Sequence, residues 1–245
     1  MKNNRRASLR KIISSIDFSE TETILKTCYK YSPHKPGRPP LSAKGMFISF
    51  LLMFLRMESY RDYHAFLEKD QFWRRQLNFK QPPDIGSYTN FLKRIGINTF
   101  EQIFADVVQQ LLDKEFLNIH MIAQDGSILP SKSDDPEAKI GWDHINEQYI
   151  LGYKIHVALD VNTELPVAFT ITGANTHDST QFQSIYTIVK SYTTRFPTKY
   201  YLGDKAFDST TIRTTLLKDL VTPVIKASKT RIKPRYPPLF KKTYK

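Results

Sequence analysis

At about residue 119 the spacing of apolar side chains changes from roughly 3.6 residues to two, so no single class of secondary structure can carry both halves of the chain. Upstream, Phe100, Ile103, Phe104, Val107, Val108, Leu111 and Leu112 recur at i, i+3, i+4, i+7 and i+8, behind an Asn98/Glu101 pair with capping-box spacing. Downstream, Tyr149, Leu151, Tyr153, Ile155, Val157, Leu159 and Val161 recur at every second position, on one face. The first pattern predicts a helix starting at Asn98, and the second a strand with its apolar face on the odd positions.

Further helices are expected in the upstream half at 46–55, 59–68, 72–77 and 88–95. Before them, Ser32-Pro33-His34-Lys35-Pro36-Gly37-Arg38-Pro39-Pro40 carries four prolines, which exclude helix and mark a boundary. The apolar run 46–55 is too short to span a bilayer, which needs about 18 residues or more. No signal-peptide pattern is expected in residues 1–20, where Asp17 and Glu20 interrupt the only candidate. The single cysteine, Cys28, has no partner for an intramolecular disulfide, which fits a cytoplasmic protein.

In the downstream half, strands are expected at 119–129, 149–161 and 165–172, with a polar excursion from Pro130 to Glu147 between the first two. A helix capped by Asp178 follows, with Phe182, Ile185, Tyr186, Val189 and Tyr192 on one face. A strand at 199–203, a helix from Ser209 and a strand at 221–227 complete the order β-β-β-α-β-α-β. The expected fold class is therefore α/β, an RNase-H-like mixed sheet preceded by an all-α N-terminal domain.

Charge is concentrated at the two ends. Residues 1–45 carry ten basic and three acidic side chains and residues 226–245 carry eight basic and none acidic, whereas 46–225 carry 18 basic against 21 acidic. Such ends suit a polyanion, because neutralising phosphates releases counterions. Solubility or contact with an anionic membrane surface are the alternatives that charge alone leaves open.

In an RNase-H-like order the first strand is central and the fourth lies parallel beside it. Asp125 lies in the first strand and Asp204 ends the fourth, so the two carboxylates are expected side by side. Placed together they repel each other, and Mg2+ relieves this by taking oxygen ligands from both. Taken singly, Asp125 reads equally as a turn former before Gly126 and Asp204 as a strand-end cap. No glycine-rich phosphate loop, Ser-His-Asp set or Cys/His zinc spacing is present.

Seven fragments in order carry a resemblance that covers nearly the whole chain. They are His34-Lys35-Pro36-Gly37-Arg38-Pro39-Pro40, Ser59-Tyr60-Arg61-Asp62, and Ser87-Tyr88-Thr89-Asn90-Phe91-Leu92-Lys93-Arg94 in the helical half. The others are Gln124-Asp125-Gly126-Ser127, Gly152-Tyr153-Lys154-Ile155-His156-Val157-Ala158-Leu159-Asp160, Asn175-Thr176-His177-Asp178-Ser179, and Gly203-Asp204-Lys205-Ala206-Phe207-Asp208-Ser209. In this combination the sequence resembles the DDE transposases of bacterial and archaeal insertion sequences.

The resemblance implies catalytic and metal-binding roles for Asp125 and Asp204, with Mg2+ or Mn2+ as the cofactor. It implies double-stranded DNA as partner, both terminal inverted repeats and target, and a homo-oligomer in the cytoplasm, associated with the nucleoid and not with membrane. Residues 1–40 are then a basic arm and proline-rich linker, 41–117 a helical DNA-binding and dimerisation domain, 118–227 an incomplete catalytic domain, and 228–245 a basic tail. The family's third acid, a Glu, follows a Tyr and an Arg at set spacings. If Tyr244 is that Tyr, the Glu falls at the sixth position past residue 245. Two functions are therefore expected as alternatives: a transposase that cuts and joins DNA, or a catalytically inactive DNA-binding remnant or competitor. A structure-specific nuclease shares the carboxylates but leaves the N-terminal fragments unexplained. His156 and His177 are read as structural, Asp160 as a support of the hairpin turn and Asp178 as a helix cap. Trp73-Arg74-Arg75 and Lys93-Arg94 are read as a solvated face or as phosphate contacts.

Overall fold

Six helices precede the first strand in the computed structural model, which describes residues 2–28, 41–132, 134–143 and 146–227. The chain divides into two units, Met1–Val107 and Val108–Lys245. The first holds α1 (Lys2–Ser15), α2 (Ser19–Cys28), α3 (Ala43–Arg56), α4 (Tyr60–Lys69), α5 (Gln71–Gln76) and most of α6 (Ile85–Asp113), which continues into the second.

Side-chain caps start three of these helices. Ser42 Oγ accepts from the Gly45 amide for α3, Ser59 Oγ from Asp62 for α4, and Asp70 Oδ1 from Phe72 and Trp73 for α5. Helix α3 is apolar on nearly every side, with Met46, Phe47, Ile48, Phe50, Leu52 and Met53 buried, and so forms the centre of its unit. Ser49 is also buried, and its hydroxyl lies 2.8 Å from the Tyr88 hydroxyl and donates to the Tyr63 hydroxyl at 3.2 Å. Burial pushes the Tyr88 phenol up to about 12, so this hydroxyl cluster stays neutral across the physiological range.

One expectation changes in this unit. Residues 2–28 form α1 and α2, and Leu9, Phe18 and Leu25 join the hydrophobic core, so this stretch is packed helix and not a free arm. Its apolar residues recur at helical spacing, which the charge count concealed. Helix α6 is two helical stretches joined across a break at Gly96, where φ is 64° and ψ 173°, in keeping with separate helices expected at 88–95 and from Asn98. The break falls there because a residue without a Cβ enters the left-handed region at little cost. The proline-rich linker and the basic tail lie outside the described residues.

In the second unit one six-stranded sheet holds β1 (Met121–Pro130), β2 (Lys139–Asp143), β3 (Gln148–Asp160), β4 (Pro166–Gly173), β5 (Tyr200–Gly203) and β6 (Thr222–Ile225). Strand β1 pairs antiparallel with β3 and parallel with β5, β3 pairs antiparallel with β4, and β5 pairs parallel with β6. The order β4-β3-β1-β5-β6 is the RNase-H-like arrangement, and β2 adds to β3 beside β4. Strand β2 falls in the stretch expected to be a polar excursion. Its five residues pair only with the start of β3, too short a run for alternation to be legible.

Helix α7 (Phe182–Ser191) buries Phe182, Ile185, Tyr186 and Val189, and α8 (Thr210–Lys218) buries Ile212, Arg213 and Leu216. Tyr201 meets Phe182 and Tyr186 edge-on, with ring centroids 5.3 and 5.6 Å away, so α7 lies on the β5 face that carries Tyr201. On β3 the fully buried positions are the even ones, Gly152, His156, Ala158 and Asp160, while the odd apolar positions are half-buried and Tyr149 is exposed. Alternation is as expected, yet the more deeply buried face is the one with small and polar side chains. No described helix is long and apolar enough to cross a membrane.

Gly45 tests the close approach within the first unit, because a Cβ there lies 2.2 Å from the Leu77 carbonyl oxygen. Ala gains about 1 kcal/mol over Gly inside a helix, while overpacking against backbone costs about 1–3 kcal/mol. Gly45→Ala is therefore expected to destabilise the protein by up to about 2 kcal/mol, read as a lower denaturation midpoint.

Candidate active site

The last paired residues of the parallel β1–β5 ladder are Gln124 and Gly203, and the next residue on each strand is a carboxylate, Asp125 and Asp204. Tyr201 and Gln124 hold this register from the buried face, where the Tyr201 hydroxyl donates to Gln124 Oε1. Pleating places Asp125 on the opposite face, with Ala123, and Asp204 keeps an extended backbone with φ −72° and ψ −173°. Both carboxylates are exposed. They therefore carry no burial penalty.

Each acid spends one oxygen on a neighbouring amide. Asp125 Oδ1 accepts from Gly126 at 2.8 Å, and Asp204 Oδ1 accepts from Ala206 at 2.7 Å. The Oδ2 atom of each has no partner among the described residues. Two exposed carboxylate oxygens on adjacent strand ends suit a hard divalent cation. Among the described residues no group of three or more His, Cys, Asp or Glu side chains is placed to hold a metal, so a cation at this pair would take only part of its coordination sphere from them.

Behind β1 lies a buried polar cluster. Asp178 accepts from Lys154 Nζ at 2.7 Å on Oδ2 and from His156 Nδ1 at 2.9 Å on Oδ1. His156 is fully buried, and its Nε2 lies 2.9 Å from Thr172 Oγ1. Burial alone raises the Asp178 carboxyl, but the hydrogen bonds and charges of His156 and Lys154 outweigh it and hold the group down at about 2. Asp178 is therefore not the helix cap. His177 caps the turn Asp178–Gln181 by accepting from the Ser179 amide, and α7 follows.

The signal for this cluster was present in β3. From Leu151 onward every large apolar residue is at an odd position, Lys154, His156 and Asp160 share the other face, and polar groups on a buried face require partners. Asp160 finds its partner locally, with Oδ2 accepting from the Thr163 amide and hydroxyl in the β3–β4 turn. Asp208 and Arg213 form a second buried ion pair at 3.0 Å, and Arg213 also donates to the Ile225 carbonyl. Sequence reasoning passed over that pair. In the first unit Trp73 is buried, while Arg75, Lys93 and Arg94 are exposed.

A family model described as "Transposase DDE domain" matches residues 120–243, and one described as "Transposase domain (DUF772)" matches residues 1–94. The chain belongs to the DDE transposase family. Among solved structures it is similar to a piggyBac transposase synaptic complex with hairpin DNA, with 13% identity, 89% of this chain and 49% of that one covered, and a TM-score of 0.43. The Drosophila P element transposase strand transfer complex gives 12%, 93%, 48% and 0.38 in the same order, and the Mos1 mariner paired-end complex with Mn gives 10%, 98%, 82% and 0.30. The chain thus spans about half the length of the piggyBac and P element proteins. The fold rests on strand order and register. A comparison with curated proteins gives no match.

The Asp178 cluster makes a pH prediction. A carboxyl lowered to about 2 from an ordinary value near 3.9 stabilises the fold fully above the ordinary value and loses that contribution as pH falls through about 2. The stability gap between the wild type and Asp178→Asn is expected to be about 2 kcal/mol near pH 6 and to shrink progressively below pH about 4. Denaturant titrations at a series of pH values read this gap.

Proposed function

We propose that the chain acts in DNA transposition, with Asp125 and Asp204 as the metal-binding catalytic carboxylates of a site that cuts and joins DNA at the ends of an insertion sequence. The observation that carries this reading is the Gln124/Gly203 register, which leaves the two acids on adjacent strand ends in a domain that matches the DDE family. Mg2+ or Mn2+ is the cofactor that suits two hard oxygen donors. When bound, such an ion stabilises charge on phosphate oxygens and makes a bound water or 3′-hydroxyl more nucleophilic. The protein's own contribution is to hold Asp125 Oδ1 and Asp204 Oδ1 on the amides of Gly126 and Ala206, so that each remaining oxygen is fixed in direction.

The DNA partner is double-stranded terminal inverted repeat and target sequence. The excess of basic residues in 1–45 and 226–245 supports phosphate contacts, and exposed Lys93 and Arg94 on α6 support further ones. One helix within 41–95 reads base edges. The working form is a homo-oligomer in the cytoplasm, associated with the nucleoid.

A second reading is a DNA-binding protein of the same family that does not cut. The two-carboxylate site among the described residues supports it. Incubation with DNA carrying the element's ends and Mg2+ or Mn2+ separates the two. The transposase reading expects metal-dependent nicking that falls by at least about a hundredfold in Asp125→Ala and in Asp204→Ala. Binding without cutting in the wild type sustains the second reading instead.

Charge makes a separate prediction. Because α1 and α2 are packed, neutralising side chains is a cleaner test than deleting the N-terminal stretch. If Lys2, Arg5, Arg6, Lys35 and Arg38 each contact a phosphate, changing all five to Gln lowers the slope of log affinity against log salt by about 4.5. An unchanged slope removes this stretch from the DNA interface.

A further inference from the structure

Gly126 stands between two carboxylates on opposite faces of β1. Its amide donates to Asp125 Oδ1 at 2.8 Å, and the space where its side chain would be is filled by Asp178. A methyl group at that position lies 2.0 Å from Asp178 Oδ1 and 2.9 Å from Lys154 Cε. Real Cβ contacts are longer than this, so the tight seating of Asp178 against β1 requires glycine.

Asp178 cannot relax away from Gly126 freely. Lys154 holds Oδ2 from β3, and His156, two residues along the same strand, donates from Nδ1 to Oδ1. His156 is itself fixed by Thr172 of β4, and it sits directly opposite Gly126 in the β1–β3 register. Lys154 and Asp178 are 15% and 17% exposed, so these charge-assisted bonds are little screened by solvent. Three segments, β3, β4 and the turn before α7, thus converge on one backbone position next to Asp125.

We propose that Asp178 is a positioning residue for Asp125, acting through Gly126: held by Lys154 and His156, it packs against Gly126 and keeps that residue's amide aimed at Asp125 Oδ1. This rests on the reading of Asp125 as an active-site carboxylate. Asp178 touches no reacting atom. Its effect passes through the backbone of β1, and it fixes which Asp125 oxygen is left for a metal ion.

The test uses the full chain, free of metal, with the Gly126 amide as an NMR probe and Mn2+ titration as a second readout. Asp178→Ala is expected to shift the Gly126 amide resonance, to speed its hydrogen exchange by about tenfold and to weaken Mn2+ binding by about tenfold. Gly126→Ala is expected to do the same by displacing Asp178. The double variant Gly126→Ala/Asp178→Ala should be no worse than the poorer single variant, since losing the carboxylate makes room for the methyl group. Leu216→Ala, a core truncation in α8, lowers stability without moving the Gly126 resonance. If Asp178→Ala does not fold, Asp178→Asn gives the same comparison at unchanged volume.

An unmoved Gly126 amide in a folded Asp178 variant overturns the proposal, as do strictly additive effects of the two single substitutions. Mn2+ binding that survives Asp125→Asn overturns the reading of Asp125 as a metal ligand. The amide measurement decides the positioning role in either case.

Discussion

The second unit depends on one register, the parallel pairing of β1 with β5, which joins residues almost eighty positions apart in the chain. The bond from the buried Tyr201 hydroxyl to Gln124 fixes it, and the rings of Phe182 and Tyr186 enclose Tyr201 so that the hydroxyl has nowhere else to go. A slip of one residue turns every side chain of a strand to the other face. It would expose the Tyr201 ring and bury Asp204 instead. The hydrophobic cost of exposing a tyrosine among aromatic neighbours therefore protects the juxtaposition of two exposed acids that have no such force of their own.

Around that register the structure separates labour between the faces of the sheet. One face carries Asp125 and Asp204 in water, where a cation can reach them and where ionised carboxylates need no buried partner. The other face carries Lys154, His156 and Asp178, largely withdrawn from water, where each polar group must be matched. The inner cluster is rigid because its members satisfy one another, and Gly126 is thin enough to bring that rigidity within one backbone atom of the outer acid. The buried Asp208–Arg213 pair does comparable work beside Asp204, tying the segment after β5 to the end of β6 through the Ile225 carbonyl.

Much of this was legible in the amino-acid sequence. The change of period near residue 119 separates helices from sheet, alternation in 149–161 marks β3, and the order of elements leads to an RNase-H-like sheet with Asp125 and Asp204 on neighbouring strands. What stayed illegible has physical causes. Strand β2 is five residues that pair with another strand, so its reason for being lies in β3 and not in its own pattern. Helices α1 and α2 were hidden by charge, since Leu9, Ile12, Ile13 and Ile16 keep helical spacing in a stretch whose excess of basic residues suggests a DNA-binding arm. Asp178 precedes a helix, as caps do, and only the three-dimensional approach of Lys154 and His156 shows a different use for its carboxylate. The depth of burial on β3 was misjudged for a similar reason, because small and polar residues can be covered more fully than large apolar ones.

The adjacency of Asp125 and Asp204 is the claim on which the functional account stands, and a cross-link measures it without metal or DNA. In a Cys28→Ser background, which removes the only native cysteine, Asp125→Cys and Asp204→Cys are introduced together and the protein is oxidised. Adjacent parallel strands lie about 4.8 Å apart, within the Cα separation that a disulfide spans. The account predicts rapid, nearly complete formation of an intramolecular disulfide by this pair, and little by the control pair Ser127→Cys with Asp204→Cys. Failure of the first pair, or preference for the control, contradicts the β1–β5 register and with it the shared carboxylate site.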